Sequence, residues 1–374
     1  MARSLPARPV TSVGATDSGN QRSAKARAMD AVGKVALHTI PAIPDRLKRL
    51  VLGGHQITID GNTLDTTLQL MLALGHRSGS GGLILSEDVA VARTELNAVA
   101  AQYPRVPVEV TSAHVSVPGP GGDIPAVHLR SKGDDGAPLL VYYHGGGFVV
   151  GGYETHGNLC EVICRDAGVH LLFVDYRMAP EHRAPAAVDD AYAAYLWACE
   201  HAAELGADAS RIAVGGDSAG GNLAAVVAQQ ARNDGATPPV LQMLLYPVTN
   251  YAGRTRSMGL FPDGFFLRRW DMDFAQDKYL GDSGIDPTDP RVSPLLADDL
   301  AGLPPALLVT AGFDPLRDEG RQYAEALRAA GNTVDAREYG SLIHSFPNFF
   351  GLGGPAAAAT YDIISALRAH LSRS

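Results

Sequence analysis

Between Arg211 and Ala228 the chain runs from a short apolar segment, Arg-Ile-Ala-Val-Gly (211–215), through Gly-Asp-Ser-Ala-Gly (216–220), into a small-residue helical stretch beginning at Asn222. A strand that passes into a helix this abruptly strains the residue at the apex. Only small neighbours let strand and helix slide past each other. Gly216, Ala219, Gly220 and Gly221 supply those neighbours, and Ser218 occupies the apex. The hydroxyl of Ser218 is therefore expected to stand clear of a sheet at the N-terminus of the following helix, the signature of a nucleophile elbow.

From about Val115 onward, β-rich runs alternate with helical patterns. The runs are Ile124–Leu129, Leu139–Tyr143, His170–Asp175, Ile212–Gly215, Leu241–Tyr246, Ala306–Thr310 and Val334–Tyr339. Several are almost wholly apolar, as expected of strands covered on both faces of a mostly parallel sheet. Helix-like stretches at Val188–His201 and Asp318–Ala330 lie between them. The pattern predicts an α/β protein with an open, doubly wound sheet and a ligand site beyond the carboxyl ends of its strands. The first 110 or so residues differ, with helical patterns at Leu64–His76 and Glu87–Gln102 around a Gly-rich break at Ser78–Gly82. A second departure, Thr249–Asp289, carries Phe261, Phe265, Phe266, Leu267 and Trp270. These two pieces are expected to be neighbours, forming a helical cap, unless both pack on the back of the sheet. Residues 1–35 are read as a disordered leader, 36–110 as the N-terminal cap segment, and 111–374 as the catalytic domain with its insertion at about 249–289.

A net charge of −9 argues against nucleic acid as a partner, because phosphate binding needs clustered Lys and Arg. No window approaches the roughly 18 uninterrupted apolar residues of a membrane span. The stretch from Met1 to about Asp30 lacks a continuous apolar core, which excludes a secretory signal; a transit peptide stays open beside the disordered leader. Three cysteines, Cys160, Cys164 and Cys199, are too few and too odd in number for a disulfide framework. They read as small buried hydrophobes in a reducing, cytoplasmic setting. Cys160 and Cys164 are four residues apart, but no neighbouring His or Cys completes a metal site.

Ser218 needs a base, and the base needs an orienting acid; on this fold they follow in the order Ser, Asp or Glu, His. In Pro305-Ala-Leu-Leu-Val-Thr-Ala-Gly-Phe-Asp314, the acid follows a strand directly. In Gly340-Ser-Leu-Ile-His344, a histidine follows the next one. Asp318 is a rival acid, but it falls where a helix begins and suits a first-turn role. His370 is the other histidine beyond Asp314; it lies in the final amphipathic helix, where a solvated role is expected. Donors for an oxyanion come from His144-Gly-Gly-Gly147, where glycines after a strand let backbone N–H groups face a site. Gly146, Gly147 and Ala219 are the expected donors, with His144 shaping the loop. A phosphate loop is the competing reading of this run, but the Lys-Ser/Thr ending is missing.

Taken together, His144-Gly-Gly-Gly147, Gly216-Asp-Ser-Ala-Gly220, Asp314-Pro-Leu-Arg-Asp318 and His344 resemble the hormone-sensitive lipase family of α/β-hydrolases, including its bacterial carboxylesterases. The stretch from Asp175 through Glu181 to Pro185 also looks like the family, with Glu181 in a structural role. The resemblance spans roughly residues 110–370. It implies an eight-stranded α/β-hydrolase fold with a helical cap. It also implies a serine carboxylesterase that needs no cofactor and prefers short to medium acyl chains. By match to the motifs, the family's nucleophile, acid and base fall on Ser218, Asp314 and His344, and its oxyanion glycines on Gly146 and Gly147. The expected partner is a small ester, with a homodimer as a candidate assembly. Amide or peptide hydrolysis by the same residues, a ligand-binding receptor of this fold, and an interfacial lipase using Phe261–Trp270 stay open as alternatives.

Overall fold

The computed structural model describes residues 34–35, 37–133 and 135–372. The leader expected over residues 1–35 therefore lies almost entirely outside the described residues. Eight strands form one sheet: β1 Thr111–Gly119, β2 Gly122–Arg130, β3 Leu139–Tyr143, β4 His170–Val174, β5 Ile212–Asp217, β6 Gln242–Leu245, β7 Ala306–Phe313 and β8 Val334–Ile343. Across the sheet they run β8-β7-β6-β5-β3-β4-β2-β1. The β1–β2 and β2–β4 pairs are antiparallel and all other pairs are parallel. Every residue of β3, β4, β5, β6 and β7 is buried, which is why these strands read as continuous apolar runs rather than alternating ones.

The α/β reading holds, and the differences lie at strand ends. The antiparallel edge strand β1 was not anticipated over its full length; its residues are mostly exposed, so it shows no buried pattern. Strands β7 and β8 each run three or four residues past their expected ends, through Gly312 and Gly340. Glycine normally punctuates a strand, but here it permits close approach: a Cβ on Gly312 would strike the Gly340 carbonyl. The extension matters because Asp314 and His344 follow these two strands, and Ile343 pairs with Phe313.

Helices α4 (Tyr153–Ala167) and α10 (Gly354–Leu371) pack together on one face of the sheet. Helices α5 (Ala186–His201), α6 (Ala219–Asn233) and α9 (Arg317–Ala329) cover the other. Before the sheet come α1 (Asp45–Val51), α2 (Thr66–Ser78) and α3 (Val89–Ala100). Asp65 caps α2 by accepting the Leu68 N–H at 3.0 Å, and Asp88 caps α3 at the Ala90 and Val91 N–H groups. The insertion after β6 contributes α7 (Arg256–Leu260) and α8 (Arg269–Leu280). The two pieces meet through a Gly82–Phe266 bridge and through the Ile84 N–H, which donates to Asp271 Oδ1 at 3.0 Å. No described helix is long and apolar enough to cross a membrane. Cys160 and Cys164 are buried as expected, but Cys199 is only partly so, because it lies near the end of α5.

Candidate active site

Three parallel strands of the sheet, β5, β7 and β8, each hand a polar residue to the loop that follows. Ser218 follows β5, with its backbone at φ 55° and ψ −116°, a region that non-glycine residues rarely occupy. The turn survives because its neighbours are bare: a Cβ on Gly216 or Gly220 would run into the Tyr143 carbonyl. The Ser218 N–H donates to the Leu245 carbonyl at 2.8 Å, which fixes the apex to β6.

His344 Nε2 lies 3.0 Å from Ser218 Oγ, and His344 Nδ1 lies 2.7 Å from Asp314 Oδ2. His344 and Asp314 are fully buried, while Ser218 keeps 5% of its surface exposed, enough to meet a ligand. The other carboxylate oxygen of Asp314 accepts the Leu316 N–H at 2.8 Å, so the acid cannot rotate away from the imidazole. Tyr246 sets its ring edge-on to His344 at 4.7 Å, with its own backbone at φ 37°. This arrangement leaves the imidazole one orientation.

The loop after β3 lines the same cleft as Ser218 through Gly147. Gly146 has φ 118° and Gly147 has φ 63°; a side chain on Gly146 would strike the Val150 carbonyl. Among the described residues, the N–H groups of Gly146, Gly147 and Ala219 have no acceptor. His144 is buried, places Nδ1 2.7 Å from the Gly145 carbonyl oxygen, and stacks on Tyr176 at 4.4 Å. Burial, and the neighbouring His156, push His144 down to about 4, so at neutral pH it is an uncharged spacer inside the loop.

The remaining candidates fall elsewhere. Asp318 accepts the Ser257 N–H at 2.8 Å and pairs with Arg317 at 2.9 Å, tying α9 to α7. His370 Nε2 lies 3.2 Å from Asp335 Oδ2 and is half-buried, so it is partnered rather than merely solvated. Glu181 makes a two-pronged pair with Arg93 of α3, whose other N–H groups donate to the Val149 and Ala179 carbonyls. Phe261, Phe265, Phe266 and Leu267 are buried, and Trp270 is exposed. Among the described residues no cluster of three or more His, Cys, Asp or Glu is placed to hold a metal ion.

Four residues of the site were not singled out from sequence. Asp217 accepts the Gly145 N–H and the Tyr142 hydroxyl, each at 2.9 Å, and its other oxygen lies 3.3 Å from His156 Nε2. Burial would raise its carboxyl, but His156, the Tyr142 hydroxyl and the Gly145 N–H outweigh that and hold it below the usual range. It thereby fastens the glycine loop to the elbow. Glu319, fully buried, accepts the Thr249 N–H at 2.7 Å through Oε1; its Oε2 has no partner among the described residues. Burial pushes this carboxyl up to about 8, so it keeps its proton at neutral pH. Tyr246 is the third. Leu83 follows the Gly-rich break and lines two clefts. One, of about 640 Å³ including its mouth, also meets Ser218, Gly147, Leu267 and Glu319; the other, of about 570 Å³, meets Gly146, Asp217 and Phe349. Adjacent acids at 318 and 319 signalled only a helix start, and nothing around Leu83 marked it.

Residues 140–348 match the family described as the alpha/beta hydrolase fold. A carboxylic ester hydrolase, LipN, of Mycobacterium tuberculosis is 52% identical over 378 residues, covering 100% of both chains. An ethyl acetate hydrolase of Pseudomonas putida is 38% identical and covers 67% of this chain and 80% of its own. The crystal structure of a thermostable esterase from Pseudomonas putida superposes with a TM-score of 0.77 at 35% identity, covering 84% of this chain and 99% of that one. The chain belongs to the hormone-sensitive lipase type of the α/β-hydrolase family.

Proposed function

We propose that the protein is a serine carboxylesterase that hydrolyses short- to medium-chain esters through an acyl-enzyme. The observation that carries this reading is the unbroken chain from Ser218 Oγ to His344 at 3.0 Å and on to Asp314 at 2.7 Å, opening onto a cleft beside Gly147. Ser218 Oγ attacks the ester carbonyl while His344 Nε2 takes its proton. Asp314 holds the Nδ1–H tautomer and stabilises the imidazolium that forms. The carbonyl oxygen, now negative, rests on the N–H groups of Gly146, Gly147 and Ala219. Collapse of the tetrahedral adduct breaks the C–O bond, and His344 returns the proton to the departing alcohol. Water deprotonated by the same imidazole then releases the acid and restores Ser218. Residues 36–110 and the insertion at 249–289 act as the cap that walls the clefts.

The relatives named as ester hydrolases support ester over amide substrates, and the intact His344 supports catalysis over a receptor role. Ser218→Ala is expected to abolish hydrolysis of a chromogenic butyrate ester while the fold persists, and to abolish labelling by a fluorophosphonate. Undiminished turnover in a folded variant contradicts the proposal. A matched anilide of equal acyl length should turn over far more slowly than the ester.

A further inference from the structure

Large exposed hydrophobics are normally scattered singly over a protein surface. Here four of the seven among the described residues fall within one short stretch: Val35 at 64% exposure, Leu47 at 45%, Leu50 at 74% and Val51 at 67%. Leu47, Leu50 and Val51 are spaced i, i+3, i+4 on α1, so they share one arc of the helix. The adjoining face is anchored. Lys48 is buried, donates to Thr67 Oγ1 of α2 at 2.8 Å and pairs with Asp45, so the apolar arc is held on a fixed platform. Lys34, Arg46 and Arg49 are exposed as well, the two arginines on α1 itself.

Charge is divided just as unevenly. Residues 1–54 carry a net charge of +6 and the remaining chain −15. An exposed apolar arc on a helix whose polar side carries Arg46 and Arg49, on a basic segment of an acidic body, is the pattern of a surface that lies in a lipid interface. We infer that α1 and its flanking basic residues dock the protein on an anionic lipid bilayer.

Charge selects among the occupants. Residues 1–33 carry net +3, the same sign as α1, and do not complement it. A second copy seated symmetrically would set Arg46 and Arg49 against their own equivalents. Nucleic acid would use the arginines but leave Leu47, Leu50 and Val51 in water. Anionic headgroups match the arginines, the acyl boundary matches the arc, and repulsion of the acidic body turns the arm toward the surface. The platform also leads, through α2, into the loop that places Leu83 in both clefts.

The test is co-sedimentation of the full chain with vesicles of phosphatidylcholine alone and of phosphatidylcholine mixed with phosphatidylglycerol. Binding is expected on the mixed vesicles, at least about tenfold weaker on the neutral ones, and weakened by salt. Arg46→Gln with Arg49→Gln should weaken partitioning about 30-fold, from about fivefold per basic side chain. Leu50→Ser with Val51→Ser should weaken it about tenfold or more. Unchanged thermal melting shows that both double variants are folded. Absent binding, equal binding to the two vesicle types, or double variants that bind like the parent overturn the inference. Loss of binding on deleting residues 2–33 while the α1 variants still bind overturns it too. So does a lipid-free dimer in gel filtration that the Leu50/Val51 variant dissolves.

Discussion

Replacing Glu319 by Gln isolates one buried proton. In the native protein this carboxyl titrates at about 8 rather than at its ordinary 4.5, because burial disfavours the anion more than the Thr249 and Asn250 N–H groups favour it, and Asp314 repels it. In the unfolded chain it ionises normally. Between those two values the folded state therefore binds the proton and the unfolded state does not, so stability falls as pH rises through that window. Moving the midpoint from 4.5 to about 8 corresponds to about 5 kcal/mol lost across the interval, as an upper bound for a site that relaxes. Gln is close to isosteric, still accepts the Thr249 N–H, and cannot ionise. The stability difference between Glu319→Gln and the parent should thus be small at about pH 5 and grow by several kcal/mol by about pH 9. Urea unfolding midpoints at several pH values measure it directly. A difference that stays constant over this range refutes the assignment of a protonated carboxyl.

Other outcomes follow from the same geometry. Asp314→Asn should lower kcat on a butyrate ester by about 10³- to 10⁴-fold, since the 2.7 Å bond no longer selects the productive tautomer; a loss under tenfold contradicts its role. Asp217→Ala frees the Gly145 N–H and the Tyr142 hydroxyl, so the glycine loop loses its fixed aim. A fall of about 10² in kcat, comparable to one displaced oxyanion donor, should appear with a smaller change in KM. On the acid side, burial holds His128 and His144 down to about 4. The unfolded chain binds these protons first, so stability should decline as pH falls from about 6.5 to about 4, by up to about 3 kcal/mol for His144 and by less for His128, which solvent screens in part. His128→Gln should remove part of that slope in urea titrations, and an unaltered slope counts against the explanation.

How legible the site was depended on whether a signal was local. Ser218 and the glycine loop announce themselves because strain and close approach demand particular small residues within a few positions. Asp314 and His344 were found by order and by their place after apolar strands, and the structure puts them within hydrogen-bond reach of one another. The strand ends were misjudged for a physical reason: Gly312 and Gly340 look like breakers in one dimension. Only the fold reveals that Gly312 makes room for the Gly340 backbone and Gly340 for the side chain of Asn62. Asp217 was hidden in plain view, because the second position of Gly-x-Ser-x-Gly places no demand on the turn itself. What it does is long-range, reaching Gly145 across 72 positions.

The cap raises the same issue on a larger scale. Nothing in residues 78–84 marks a binding wall, yet Leu83 borders both clefts. Its position is set from the insertion: Asp271, buried and paired with Arg268, accepts the Ile84 N–H, while Arg268 donates to the Ile84 carbonyl. A fully buried carboxylate placed this way is retained only if every bond is made, so the loop and α8 shift together or not at all. Arg93 performs the matching task at the other end. It grips the Val149 carbonyl two residues beyond Gly147, the Ala179 carbonyl, and Glu181. The N-terminal segment is thereby tied at one end to the insertion and at the other to the glycine loop after β3. In the proposed mechanism, segments connected in this way set the cleft walls and the oxyanion geometry as one unit. Substitutions in α3 should therefore alter turnover as well as binding.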